Sequence, residues 1–372
     1  MIKIFNKHNC CGCNACVQKC SKQCISMCED EEGFLYPHVD SRLCIDCHLC
    51  EKVCPCLNQE LRKEPIACYA AMNTNELIRK QSSSGGIFTP IAESVIADGG
   101  VVFGARFDEN WQVVHACVET SEELAAFRGS KYVQSKIGDT FKQAEVFLKK
   151  GRKVLFSGTP CQISGMHHFL RNSYNNLLTV EVVCHGVPSP KIWREYLQSL
   201  QYSNIGSISH KDKISGWRNY SFTIKDHNEN IILTERAGHN KYLMAFGRNL
   251  TLRPSCFNCP AKEGKSKADI TLADYWGIEK LYPQLDDNKG ISFICVNTEQ
   301  GRTIMEQLDI QIKVADYQQT IPYNTCIFKS TDEPTERLFF WNDYYAQGIN
   351  ALFSLKIKKQ NIIKRIIKRI IR

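Results

Sequence analysis

Cys10, Cys13, Cys16 and Cys20 are spaced C-x2-C-x2-C-x3-C, and Cys44, Cys47, Cys50 and Cys54 repeat that spacing with Pro55 behind it. Three thiolates at such gaps cap one face of an iron–sulfur cubane, and in paired runs the fourth cysteine crosses to the other cluster. The spacing predicts one [4Fe–4S] centre on Cys10, Cys13, Cys16 and Cys54, and another on Cys44, Cys47, Cys50 and Cys20. Zinc sites also use C-x2-C, but they do not need three closely spaced cysteines and a fourth, twice over. Ser21 stands where a proline is usual after the fourth cysteine, which alters a turn and removes no ligand. Cys11, Cys24, Cys28 and Cys56 are surplus to the count and read as packing cysteines.

A later pair, Cys256 and Cys259 in "RPSCFNCP", has no other cysteine within 30 residues on either side. By spacing alone it is half of a zinc site, a redox dithiol, or part of a cluster closed from afar.

The elements that must position these residues change character after Cys68. "KVLFSG" and "LLTVEVVCHG" are short, nearly continuous apolar runs, as expected of strands buried on both faces. "DTFKQAEVFLKKG" reads as an amphipathic helix ended by lysines and Gly151. Strand, helix and strand at this spacing predict a mostly parallel α/β sheet. Cys161 and Cys184 follow two of its strands, and ligands bind at the carboxyl ends of parallel strands. "QSSSGGIFTP" is a Ser/Gly loop entering a helix, a backbone suited to a cofactor's pyrophosphate. "FRGSKY" offers Arg128 and Lys131 as further anion contacts.

The expected organisation is an α+β, ferredoxin-like two-cluster module over 1–62, then an α/β flavin-binding domain with a mostly parallel sheet and a mixed α/β C-terminal part. The latter divides as 63–190, 191–350 with the late cysteine pair, and a basic tail over 351–372. Twenty cysteines without an apolar leader or an 18-residue apolar run point to a reduced, cytoplasmic protein that uses thiolates as ligands. The net charge of +8 belongs to the tail, whose eight Lys/Arg leave 39 residues of each sign elsewhere. A neutral body argues against nucleic acid as a partner. In the tail, Ile362, Ile363, Ile366, Ile367, Ile370 and Ile371 take one side of a helical wheel and cations the other. That pattern predicts contact with an anionic membrane surface, peripheral on its inner face.

Taken in order, the two cysteine runs, "SSSGGIF", "GGVVFGA", "RGSKYVQS", "FSGTPCQISG", "VVCHGVPSP", "LRPSCFNC" and "ITLADYWG" resemble the coenzyme F420 hydrogenase/dehydrogenase beta-subunit family. In particular they resemble bacterial members with a fused N-terminal two-cluster ferredoxin module, from about Cys10 to at least Gly277. The resemblance implies a flavin, FAD or FMN, fed by iron–sulfur centres from a ferredoxin-like donor and exchanging hydride with an organic acceptor. It also implies a third [4Fe–4S] centre on Cys161, Cys184, Cys256 and Cys259. Flavin contacts are expected at Ser83, Ser84, Gly85 and Gly86, with Arg128 and Lys131, and a proton from Lys131 or His185. Asp269, Asp274 and Trp276 are expected along the same cleft. Bacterial relatives often accompany surface-polysaccharide genes, which suggests a sugar-related acceptor. A relay subunit serving a separate enzyme, and a zinc-ribbon scaffold, are the alternatives.

Overall fold

The computed structural model describes residues 1–357; the tail's isoleucine face lies outside them. The first 62 residues form two short helices, α1 (Ala15–Lys19) and α2 (Leu49–Lys52), around an antiparallel ribbon of β1 (Ile25–Glu29) and β2 (Leu35–Val39). Each helix starts just before the third cysteine of its run. The left-handed residues Asn14 and His48 precede them, turning the chain so that closely spaced cysteines gather at one end.

The body is built on β3 (Ala67–Asn73), β4 (Val101–Phe107), β5 (Val113–Val118), β6 (Val154–Gly158), β7 (Leu177–Val182), β11 (Ile270–Asp274), β12 (Ser292–Val296) and β13 (Ile310–Val314). They make one eight-stranded sheet in the order β13-β3-β12-β11-β7-β6-β4-β5. Between them in sequence, β8 (Ser207–Asp212), β9 (Ser221–Lys225) and β10 (Ile231–Arg236) form a separate antiparallel sheet.

The large sheet corrects the expectation of a mostly parallel one. Among the described strands, only β4, β6, β7 and β11 run parallel as neighbours, and the other strand pairs of this sheet are antiparallel. The physical reason is that β3 and β12 are buried on both faces, as parallel strands are, so their apolar runs carry no mark of direction. Strands from both halves of the body share this sheet.

Helices α3 (Glu76–Gln81), α4 (Phe88–Ala97), α5 (Thr140–Lys149), α6 (Pro160–Leu170), α7 (Pro190–Leu200) and α8 (Lys241–Gly247) pack about the sheets. One core layer joins α4 to β4, β6, β7, β11 and β12. The opposite layer joins α5 and α6 to the module through Cys11, Cys13, Ala15 and Val53. The module is thus seated on the body's core. Asn14 donates to the Gly138 carbonyl, Gln18 accepts from Lys142 N at 3.1 Å, and Arg337 pairs with Glu32.

Candidate redox centre and its cavity

Thr159 caps α6 with a reciprocal bond to Gln162, and Pro160 takes the first helical position. Cys161 therefore sits in the first turn of α6, three residues past the end of β6, where the helix dipole favours a thiolate. Cys184 lies in the turn after β7. That turn is held to the late cysteine pair: Arg253 N donates to Val187 O at 3.0 Å, and Val187 N points at Cys256 Sγ at 3.4 Å. Gly186 has φ 156, and a Cβ there would come 2.7 Å from Leu252 and 3.4 Å from the Cys256 Cβ, so glycine lets the two segments close.

The fold brings Cys161, Cys184 and the pair Cys256 and Cys259 together from three separate stretches, close enough to repel one another as thiolates. Burial, helped by that repulsion, pushes Cys256 up to about 12 and Cys259 up to about 11. Cys184 rises for the same reasons, and Cys161 chiefly through its contact with Cys11, then burial. Thiols crowded beyond their own capacity to ionise fit a site whose cation supplies the missing charge.

The two N-terminal groups are gathered likewise. Cys10, Cys13, Cys16 and Cys54 are mutual neighbours, and burial pushes Cys10 up to about 11. Cys20, Cys44, Cys47 and Cys50 line one small cavity, together with Cys24, whose Sγ is 3.4 Å from that of Cys20. Cys47 is exposed, so this second group faces outward, whereas the first lies against the body. Among the described residues, no three His, Cys, Asp or Glu side chains converge tightly enough to hold a single metal ion.

Next to Cys184 opens a cavity of about 570 Å³ at the carboxyl ends of β6, β7 and β11. Ser83, Ser84, Gly86, Arg128, Lys131, Cys184 and His185 all line it, as do Asp274 and Trp276. Gly86 (φ +81) and Gly129 (φ +80) bend the two loops that meet there, and Ser130 N donates to the Ser83 hydroxyl between them. Arg128 spans Thr89 Oγ1 at 3.2 Å and Gln81 Oε1 at 3.0 Å.

Two expected residues are not on the wall. Gly85 packs against β3 and β12 instead: a Cβ there would come 2.4 Å from Ala71 O, and its N–H donates to Ser292 Oγ at 3.0 Å. Asp269 lies at the start of β11, away from the cavity, and accepts from Thr179 N at 2.8 Å and Thr298 Oγ1 at 2.7 Å. A buried carboxylate with a full set of donors is a structural tie.

Lys131 is half-buried and lines the cavity, its Nζ donating to Arg128 O at 3.1 Å and Gly129 O at 3.2 Å. No carboxylate partners it among the described residues, and desolvation pulls it down to about 7. His185 is fixed by Asn249 Oδ1 at 2.7 Å, and its other ring nitrogen is 3.6 Å from Cys326 Sγ.

Sequence reading missed three groups. His115 forms part of the cavity wall, donating from Nε2 to Ser157 O at 3.0 Å, so its Nδ1 accepts from Ser135; burial takes it down to about 4. Cys326 lines the cavity from a segment with no motif of its own. Lys211 and Lys213, in "SHKDK", reach behind the wall: Lys211 pairs with Asp274, and Lys213 donates to the Ser84 carbonyl. Only that run of cations beside a strand hinted at them.

The family profile for the N-terminal part of the coenzyme F420 hydrogenase/dehydrogenase beta subunit matches residues 68–142, and that for its C terminus matches 151–320. Comparison with curated proteins gave no match. Among solved structures, a chain from the xenon-derivatised F420-reducing [NiFe] hydrogenase complex of Methanosarcina barkeri is similar at 18% identity. It covers 71% of this chain and 91% of its own, with a TM-score of 0.49. Among the described residues no helix is long and apolar enough to cross a membrane.

Proposed function

The chain belongs to the coenzyme F420 hydrogenase/dehydrogenase beta-subunit family, a family of oxidoreductases, and from that premise we propose an iron–sulfur flavoprotein that moves electrons between a one-electron donor and an organic acceptor. The observation that carries this reading is the double position of Cys184, which belongs to the third thiol group and also lines the large cavity. Beside that thiol group lies a cavity of about 570 Å³, a size that suits a cofactor with room for substrate.

In this reading Cys10, Cys13, Cys16 and Cys54 hold one [4Fe–4S] centre, and Cys20, Cys44, Cys47 and Cys50 hold another. Cys161, Cys184, Cys256 and Cys259 hold the third. The exposure of Cys47 would let the outward group face a ferredoxin-like donor, and the position of Cys184 would set the third group beside the cavity. A bound flavin, FAD or FMN, supplies the conversion between single electrons and hydride. Ser83, Ser84 and Gly86 on one loop and Arg128 on the other would hold it. Lys131 holds the proton that the reduced acceptor takes up, its ammonium poised by desolvation near neutral pH. The candidate acceptors are F420 and a sugar-related compound.

The test is anaerobic purification with iron, sulfide and flavin analysis. Three centres give about 12 iron atoms per chain at four per centre. Cys256→Ser is expected to lose about four of them and keep the rest. Iron unchanged in that variant, or zinc in a colourless protein, would overturn the reading.

A further inference from the structure

Arg253 is fully buried, and among the described residues no carboxylate lies within ion-pair distance of it. Its Nε donates to Cys10 O at 2.7 Å, one Nη to Gln134 Oε1 at 3.0 Å, and the other to Leu35 O at 3.0 Å. That last nitrogen is also 3.6 Å from Cys10 Sγ, and the guanidinium lies 4.2 Å over the Tyr36 ring. Gly12 keeps the module's loop clear of it, since a Cβ there would come 2.8 Å from Nη1. Every hydrogen bond it makes is to a neutral group or a cysteine.

A buried guanidinium without a counter-charge is expensive, so something anionic must answer it. The groups within its electrostatic reach are the thiols of Cys10, Cys11, Cys161 and Cys256, with the Tyr36 phenol. Three of those thiols belong to proposed centres, and Arg253 itself opens the turn that carries Cys256, whose N–H bonds to its carbonyl at 2.9 Å.

We propose that Arg253 sets the reduction potential of the centre held by Cys10, Cys13, Cys16 and Cys54, making it the electron-accepting member of the N-terminal pair. The inference rests on the cluster reading above. A fixed cation favours the state with one more electron, and a hydrogen bond to a ligating sulfur acts in the same direction. The outward group has no such arginine among the described residues: Cys50 Sγ accepts from Ile2 N at 3.3 Å, and the cation that acts on it is the N-terminal ammonium, already paired with Asp46 and Glu51. One electron therefore leaves the reduced outward centre, which is oxidised, and enters the Cys10 centre, which is reduced. The external one-electron donor then refills the first. The arginine makes inward flow the downhill direction, and its place between Cys10 and Cys256 extends that bias towards the third centre.

Arg253→Met, Arg253→Lys and Gln134→Glu test this in the full chain, with iron counts and redox titrations followed by electron paramagnetic resonance. Gln134→Glu is nearly isosteric and puts a carboxylate on the guanidinium. In Arg253→Met, one centre is expected to fall at least tenfold in its one-electron equilibrium, about 59 mV. Arg253→Lys should recover at least half of that, and Gln134→Glu should lower the same centre. Iron retained with potentials unmoved, or all centres falling equally, overturns the inference and leaves the cluster reading standing. Should Arg253→Met fail to hold iron, an unmoved potential in Gln134→Glu overturns it by itself. A wild-type chain without iron overturns both readings.

Discussion

Gly165 stands one helical turn after Cys161 on α6, and Cys13 of the N-terminal module is seated on its bare Cα. A Cβ at Gly165 would come 2.7 Å from the Cys13 Cβ and 3.0 Å from its Sγ. One helix thus carries a cysteine of the third group and the seat of a cysteine of the first. The approach of the two is set by a missing side chain.

Gly165→Ala tests this. Ala is the better helix former by about 1 kcal/mol, which pulls the other way. Overpacking against Cys13 costs about 1–3 kcal/mol, and Cys13 is in a crowded group with little room to yield. The expected outcome is a net loss of stability together with loss of about four irons from the module's first group. A variant as stable as wild type with full iron would mean that the seat is not tight.

Asp274 and Lys211 form the tie behind the cavity wall. The Lys211 side chain is 1% exposed, and Asp274 also accepts from Trp217 Nε1 at 3.0 Å. Asp274→Asn leaves the ammonium buried without its carboxylate, a loss of about 3 kcal/mol at the low end of such deletions. The Trp276 ring, 5.1 Å away, still faces the cation and limits the damage. Chemical denaturation should show the loss, and Lys211→Met in the same background should restore much of it. A loss below about 1 kcal/mol would show the pair to be solvated.

The residues of the cavity were largely legible because Gly and Ser mark loops regardless of what lies far away in sequence. Ser83, Arg128, Lys131 and Cys184 reached the wall as local patterns suggest. Strand direction was not legible. "ISFICV" and "KVLFSG" both carry a buried apolar run, yet β12 pairs antiparallel and β6 pairs parallel with its neighbours. Nor was Cys326, whose place is fixed by Lys262 bridging its carbonyl to that of Cys184 across 142 residues of sequence. Gly85 and Asp269 show the converse error: residues beside a site in sequence, but turned by the strand or the loop into packing.

Cys20 and Cys24 compete for one position in the outward group, their sulfurs 3.4 Å apart on the same small cavity. Spacing assigns the ligand to Cys20. Cys24→Ala is then expected to keep the full iron count, whereas Cys20→Ala loses iron or exchanges one ligand for Cys24, with a changed resonance spectrum. Loss of iron in Cys24→Ala with none in Cys20→Ala would reverse the assignment.

Lys131 gives a pH dependence whose sign can be worked out. Its ordinary value of 10.5 holds in the unfolded chain, and desolvation lowers it to about 7 in the fold. Between those values the unfolded chain binds the extra proton, so stability rises with pH from about 7 to about 10 and is insensitive to Lys131 below that window. Lys213 is lowered to about 7 as well, by burial and then by Lys211, and contributes to the same rise. Lys131→Met is therefore expected to leave a shallower rise, not a flat line, in denaturation midpoints between pH 7 and pH 10. In turnover the protonated form is the donor, so the rate should fall as pH climbs through about 7. Lys131→Met should lower the rate and erase that inflection. An inflection that survives the substitution would assign the proton to another group on the wall, with His185 the first to examine.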